Sequence, residues 1–593
     1  MNFLLLSEEK VELASTSSSC SIDEELLDEP KASLKPEPDL NTSQEKLSRG
    51  RKQIITPRLV AALDKCKVSD RNAVHILAAV FEALDLEMNE VAINRSSIRR
   101  HRMQIRQEKA EIVKNEFKNI CLDAPVIHWD GKLLPSLTDR ENVDRLPIII
   151  SNGDTEQILK IPALESGTGR AQAEAIFETL CEWGLDEMVQ ACCFDTTASN
   201  TGRFNGSCVI LEQLLERNLL YLPCRHHILE IIIRAVFESK IPNTSGPNVP
   251  LFKRFQDAWP KMNKTNFCSG VTEKQISDLF PEKLTIIQQL KCLLNNPKFL
   301  PRDDYKEFLE LCIIFLGDSP PKQKSISPPG AMHHARWMAK VIYSLKMYLF
   351  RNEFKLRPAE KKALLDICIF IIKIYVHAWF AAPLAVKAPQ SDFELLKKIS
   401  SFKDYDSKIS EAALKKLLNH LWYLSPEPIA FSFFDDDVSN ETKKRMSAAL
   451  FRDDDEAEAI EPDEEEETNI PERKVSLRPE KLEEILAGGL EQFVNFSTKR
   501  FFQRFSINPA FFKDDPSQWP MNEDYEKARN IITKLKVTND TAERGVKLIE
   551  EYHDKLTHNE EQMQCIVQIV SDYRKKFPTC NKRNLRSSSS MVE

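Results

Sequence analysis

The spacing of apolar residues changes character along this chain. Over residues 72–84 it is helical, with Val74, Ile76, Leu77, Val80 and Phe81 on one side. Ser69 or Asp70 caps that helix. Ser96 and Ser97 open a second one, in which Arg99, Arg102, Arg106 and Lys109 fall at steps of three and four and line one face. From Ala124 the period drops to two. Across 124–132, Val126, His128 and Asp130 share one side of a strand and Ile127 and Trp129 the other. Residues 146–150 predict a second strand, Ser151-Asn152-Gly153-Asp154 a tight hairpin turn, and 157–161 a third strand. Residues 171–183 form an amphipathic helix with Ile176, Phe177, Leu180 and Trp183 inward and Gly184 as its stop. The apolar run 188–194 reads as a central strand. It closes on Asp195 and a turn cluster, Thr196, Thr197, Ser199, Asn200, Thr201 and Gly202. A helix over 208–216 and a strand over 219–222 follow. Cys224, His226 and His227 then open another helix, so the predicted order is β-β-β-α-β-α-β.

That order brings chemistry to one sheet edge. A carboxylate at the end of a central strand, Asp195, stands where open α/β sheets place their ligands. Asp130 lies inside an apolar strand, where an acid is costly without a partner. The bland readings are specific too. Asp195 before Thr and Ser suits a turn cap. Glu543 follows Asp540 at capping-box spacing. Cys224 is the kind of thiol that packs in a core. Cys224 and His227 are only two ligands, and no second pair has matching spacing, so zinc is not indicated.

Size and charge refine the picture. A chain of 593 residues exceeds one core, and three or four units are expected. Net charge is −8, which excludes a uniformly basic nucleic-acid coat. Much of that charge sits in the acidic run 453–467, read as a loop without a core, so it says little about a DNA-facing surface. The 14 cysteines are scattered with no CxxC pair, which points to reduced thiols in the cytosol or nucleus. The first ten residues have too short an apolar core for a signal peptide. The most apolar window, 363–386, holds Asp366, Lys373 and His377, and reads as a buried helix, not a membrane span. The expected organisation is a disordered tail over 1–48 and a small basic helical domain over 49–120. A sheet-bearing part follows over 121–240, a helical insertion over 241–495, a return to the core over 496–580, and a basic, Ser-rich tail over 581–593. Arg99, Arg100, Arg102 and Arg106 suit a helix-turn-helix-like DNA reader; a solvated face or a dimerisation helix is the alternative.

The residues in HWDGK around Asp130, in FDTTASN around Asp195, and in Cys224-Arg225-His226-His227 resemble the hAT-type DDE transposases. The resemblance covers about 120–235 and 495–580. It implies an α/β ribonuclease H-like core interrupted by a large all-α insertion, with a small N-terminal helical domain. It also implies a third acid near the C-terminus, matched by Glu543 in Thr541-Ala542-Glu543-Arg544-Gly545-Val546, where Thr and Val replace the family's Ser and Phe. Two Mg²⁺ or Mn²⁺ ions would be held by Asp130, Asp195 and Glu543 for phosphodiester cleavage and strand transfer at transposon ends. Cys224 and His227 fit the family's C-x-x-H motif near the DNA strand, and Trp337 after Arg336 fits a platform for an unpaired base. Double-stranded DNA and further copies of the chain are the expected partners, with no membrane. Lys582, Arg583 and Arg586 suit a nuclear address. The zinc-binding BED-type finger of many hAT proteins has no counterpart in this sequence. The main alternative is therefore a domesticated relative that binds DNA or protein without catalysis. A host nuclease with the same core is a third reading.

Overall fold

The first strand is flanked on both sides, and that placement sets the architecture. The computed structural model describes residues 54–85, 93–135, 142–242, 249–272, 274–320, 326–330, 339–452, 473–540, 542, 545, 548–549, 556–557 and 559–576. In it, β1 (Val126–Trp129) is buried along its whole length. β1 pairs antiparallel with β4 (Ile148–Asn152) and parallel with β7 (Ala191–Cys193). β5 (Thr155–Lys160) extends the sheet beyond β4, and β8 (Leu220–Tyr221) lies parallel beyond β7. The order is β5-β4-β1-β7-β8. The inner strands are almost entirely buried because both faces of this sheet are covered.

The turn between β4 and β5 lies one residue later than the Asn-Gly pair suggests. Gly153 adopts φ +60°, while Asn152 stays in the ladder opposite Thr155. Only glycine takes that conformation freely, and a side chain there would also press on Lys534 Cγ at 3.2 Å. The strand expected across 124–132 is corrected as well. The chain leaves the main sheet after Trp129, whose partner Ile148 follows Pro147; a proline has no amide to continue the ladder. The next residues join a second, three-stranded antiparallel sheet of β2 (Lys132–Pro135), β3 (Asn142–Arg145) and β6 (Ala163–Leu164), in the order β2-β3-β6.

Three helices precede the sheets where the periodicity showed two. α1 (Pro57–Lys65) is capped by Thr56, α2 (Asp70–Ala83) by Ser69, and α3 (Arg95–Lys118) by Asn94, whose Oδ1 accepts from the Ser97 amide at 2.8 Å. α4 (Gly169–Trp183) ends on Gly184 at φ +67°. α5 (Ala198–Thr201), α6 (Ser207–Leu214) and α7 (Arg225–Lys240) alternate with β7 and β8. Beyond α7 the described chain is helical almost throughout up to Lys534, and most described residues are in helices. The apolar helix Pro358–Ala381 passes through a π-helical turn at Ile371–Tyr375. It is long and apolar enough to cross a membrane, yet 78% of its apolar window is buried inside the protein. Its Asp366 is paired with Lys240 at 2.9 Å.

The last described helix, Glu560–Lys576, packs on α3 and on β5. Gln568 donates to the Leu159 carbonyl and Gln564 to the Ile161 carbonyl, both at 2.9 Å. An edge strand that would otherwise offer its backbone to another chain is thereby covered. Residues 1–53, the acidic run 453–467 and the basic tail 581–593 lie outside the described residues.

Candidate functional site

β1 and β7 run parallel in a constant register: Val126 opposite Ala191, Ile127 opposite Cys192, His128 opposite Cys193. Asp130 follows β1 directly and Asp195 lies two residues past β7, and the Asp195 charge acts on the Asp130 carboxyl. The residues just before the acids lock the arrangement. Trp129 stacks on Phe194 with centroids 5.5 Å apart, and Phe194 meets Tyr221 edge-on at 5.4 Å. The sheet end carrying the acids is thus fixed by three rings across β1, β7 and β8.

Asn200 ties the two strand ends together. Its amide nitrogen donates to Asp195 Oδ1 and to the Asp195 carbonyl, while its Oδ1 accepts from Trp129 Nε1 and Ser207 Oγ, each at 2.8 Å. Thr197 also donates to Asp195 Oδ1, through its hydroxyl at 2.7 Å. The turn cap expected at Asp195 is therefore present, and it uses one oxygen only. Asp195 Oδ2 takes no hydrogen bond among the described residues. The loop that carries Asn200 rests on Gly169 at the start of α4. A Cβ at Gly169 would lie 2.1 Å from the Asn205 carbonyl and 2.7 Å from the Ser199 carbonyl.

Charge at the site is shared by four groups. Burial raises the Asp130 carboxyl above its usual range; Lys132, with Nζ 3.1 Å from Asp130 Oδ2, opposes this, and the Asp195 charge adds to it. Burial lowers the pKa of His227, against the pull of Asp195 and Asp130. His227 Nδ1 lies 3.9 Å from Glu230 Oε2. Two hard-oxygen donors at neighbouring strand ends, one of them with an uncommitted oxygen, fit a cation such as Mg²⁺ or Mn²⁺. Among the described residues no three His, Cys, Asp or Glu side chains gather as a metal site. Glu543 and Trp337 lie outside the described residues.

The return of the chain is visible up to the threshold of Glu543. Asn539 donates from Nδ2 to the Trp129 carbonyl at 2.7 Å, and its Oδ1 lies 3.2 Å from His128 Nδ1. His128 Nε2 in turn lies 2.7 Å from Ser151 Oγ. The Arg225 amide donates to the Val537 carbonyl at 2.9 Å. Ala542 and Gly545, on either side of Glu543, are buried, Gly545 against Pro147 and Ile149 of the main sheet. Sequence reading missed Asn200, Asn539, His128 and Lys132. The asparagine in the D-x-x-A-S-N segment was the one available signal, and its role emerges only from the Trp129 contact.

Three expected DNA contacts are corrected. Arg102 and Arg106 of α3 are 1% and 3% exposed, because both grip the fully buried Asp64 of α1; Arg106 Nε lies 2.9 Å and its terminal nitrogen 2.7 Å from that carboxylate. Arg102 also donates to Asp70 at 2.7 Å. A buried acid needs such partners, so the pair closes the helical domain and does not face phosphate. Cys224 is buried, and its sulfur accepts from the Asn539 amide at 3.1 Å. Arg99 and Arg100 are exposed.

No described protein family matches the sequence, and no curated protein does. Among solved structures, the chain is similar to a chain of the Drosophila P element transposase strand transfer complex. The TM-score is 0.24 and the identity 10%, over 62% of this chain and 93% of that one.

Proposed function

We propose that this chain is a DNA transposase-like protein whose ribonuclease H-like core cuts and joins phosphodiesters at transposon ends. The observation that supports the reading is the parallel pairing of β1 with β7, two neighbouring strands that lead into Asp130 and Asp195. The order β5-β4-β1-β7-β8, three antiparallel strands and then two parallel ones, supports the fold assignment, as does the helical stretch between α7 and the return at Asn539. Two divalent ions, when bound, would supply an activated attacking oxygen and a stabilised leaving oxygen. Asp130 and Asp195 are the residues to hold them, with Glu543 as the third acid. Asn200 keeps Asp195 oriented while leaving Oδ2 for a ligand. His227, its charged form disfavoured by burial, offers a neutral imidazole beside the scissile strand. Double-stranded DNA in the nucleus is the substrate in this reading, bound by more than one copy of the chain.

A second reading, binding without cleavage, draws on Lys132. Its ammonium already partners Asp130, where an ion would sit. Asp195→Asn separates the two. Asn can still cap the turn, so folding and DNA binding persist. Mg²⁺- or Mn²⁺-dependent nicking of a duplex carrying the genomic sequences that flank the coding region falls by orders of magnitude. Equal nicking by both proteins would show that Asp195 is not a catalytic residue. Wild-type protein that never nicks would leave the binding reading.

A further inference from the structure

At the opposite end of the main sheet, where β7 and β8 begin, lies a cavity of about 340 Å³. It is walled by four guanidinium groups, Arg217, Arg473, Arg500 and Arg504, against two carboxylates, Glu187 and Glu427. Gln190 and Asn218, which precede β7 and β8, also line it. Gln190 and Asp195 are five positions apart along strand and turn, roughly 16 Å of extended chain, so this is not the acidic site.

Two of the arginines are built in. Arg504 Nε donates to Glu427 at 2.5 Å, and a terminal nitrogen donates to the Asn218 carbonyl at 2.6 Å. Arg473 donates to Glu212 at 2.6 Å and to the Leu219 carbonyl at 2.9 Å, and lies over the Tyr221 ring at 4.2 Å. These guanidiniums are held before any ligand arrives, so little rotamer freedom is lost on binding. The other two make no ion pair among the described residues. Arg217 donates to the Asp186 carbonyl at 2.5 Å. Arg500 is half-buried and makes no ion pair among the described residues. Burial, then the nearby charge of Arg504, lower the Arg217 pKa, and Asp186 and Glu187 offset this only in part. Crowded cations in a concave site are costly until an anion joins them. Guanidinium forks match the oxygens of a phosphoryl group, and among the described lining residues four cations meet two anions, with Glu212 paired to Arg473 behind them.

We infer that this cavity is a phosphate-binding site, filled by a free oligophosphate or by the backbone of a nucleic-acid strand. The inference does not depend on catalysis at Asp130 and Asp195. The test uses the full chain as wild type, Arg500→Ala, the double variant Arg217→Ala/Arg500→Ala, and Asp195→Asn. Inorganic pyrophosphate is titrated by calorimetry in buffer with a chelator, so no metal can recruit it to the acids. A short duplex of unrelated sequence is titrated by fluorescence anisotropy, with and without pyrophosphate. Wild type and Asp195→Asn bind pyrophosphate alike, while the double variant binds at least tenfold more weakly at an unchanged unliganded melting temperature. Should the double variant fail to fold, Arg500→Ala, which removes a side chain with no ion pair among the described residues, decides through the same measurement. Duplex binding that weakens in the variants and is displaced by pyrophosphate identifies the backbone as occupant. Duplex binding that stays the same while pyrophosphate binding is lost identifies the free anion. Wild type and variants that treat both ligands alike, or that bind neither, would overturn the inference.

Discussion

His226 lies flat on Trp379, with ring centroids 3.8 Å apart and planes 7° from parallel. Its Nδ1 is 3.1 Å from Asp540 Oδ1, and the Tyr305 hydroxyl donates to Asp540 Oδ2 at 2.8 Å. Three distant stretches therefore meet at one imidazole: the start of α7, the helical insertion, and the return that leads to Glu543. His226→Ala removes a stack and leaves Asp540 short of a partner, for a loss of about 2–4 kcal/mol. Chemical denaturation reads the loss, and hydrogen exchange at residues 537–540 should rise ahead of the rest of the sheet. Uniform exchange across the sheet would show that the imidazole does not hold the return in place.

Asp64 and the exposed arginines of α3 give opposite outcomes. Asp64→Asn leaves Arg106 buried without its acid and Arg102 with Asp70 alone, and costs about 3–5 kcal/mol. Arg99→Ala with Arg100→Ala leaves stability within about 0.5 kcal/mol. If α3 touches DNA, the pair contributes up to about two phosphate contacts, and the salt dependence of duplex binding becomes shallower by as much as about 2 in log–log slope. An unchanged slope would place the DNA surface elsewhere.

Glu360 carries a pH signature within the insertion. Burial alone would raise its pKa, but hydrogen bonds from Arg254 and Arg357 bring it down from 4.5 to about 2. A depressed carboxylate stabilises the fold above its unfolded pKa, and that stability is lost as pH falls through the folded value. The contribution is therefore full at pH 7 and fades between about 4.5 and 2. Unfolding free energies of wild type and Glu360→Gln from urea titration should differ by up to about 2 kcal/mol at pH 7, after allowance for solvent screening, and converge as pH approaches about 2. A constant difference across that range would mean the side chain acts by packing alone.

Lys132 is the built-in competitor at the acids. Lys132→Met removes an ammonium 3.1 Å from Asp130. Mn²⁺ affinity, measured by calorimetry at pH 8, should rise about tenfold, corresponding to about 1.4 kcal/mol of repulsion removed. Unchanged affinity would mean that the cation and the lysine do not compete for Asp130.

The strands were legible because each obeys a period of two or is uniformly apolar, and a glycine marks the hairpin. Placing Asp195 at a strand end required nothing beyond that pattern, and the parallel register followed once β1 and β7 were neighbours. Periodicity failed where a charge is buried. Arg102 and Arg106 occupy a polar stripe that reads as solvent-facing, and only the fold shows Asp64, 38 and 42 residues earlier, waiting beneath it. It failed also between the two adjacent imidazoles. A helix turns His226 inward to Trp379 while His227 lies beside Glu230, a rotation that composition does not reveal. β2, β3 and β6 escaped because they are two to four residues long and partly exposed, too short to show a period.

The bond between His128 and Asn539 spans 411 residues of chain. At a synthesis rate of about 5–20 residues per second, the ribosome needs roughly 20–80 s to travel between them. Through that interval β1 has been made but the segment that closes over its end does not exist. Nascent chains therefore carry a sheet whose β1 end is uncovered, which invites holding by chaperones. A ribosome that stalls in the insertion releases a polypeptide with both aspartates and no completed site. Under the catalytic reading, an enzyme that breaks chromosomes gains a safeguard here: truncated products cannot cut.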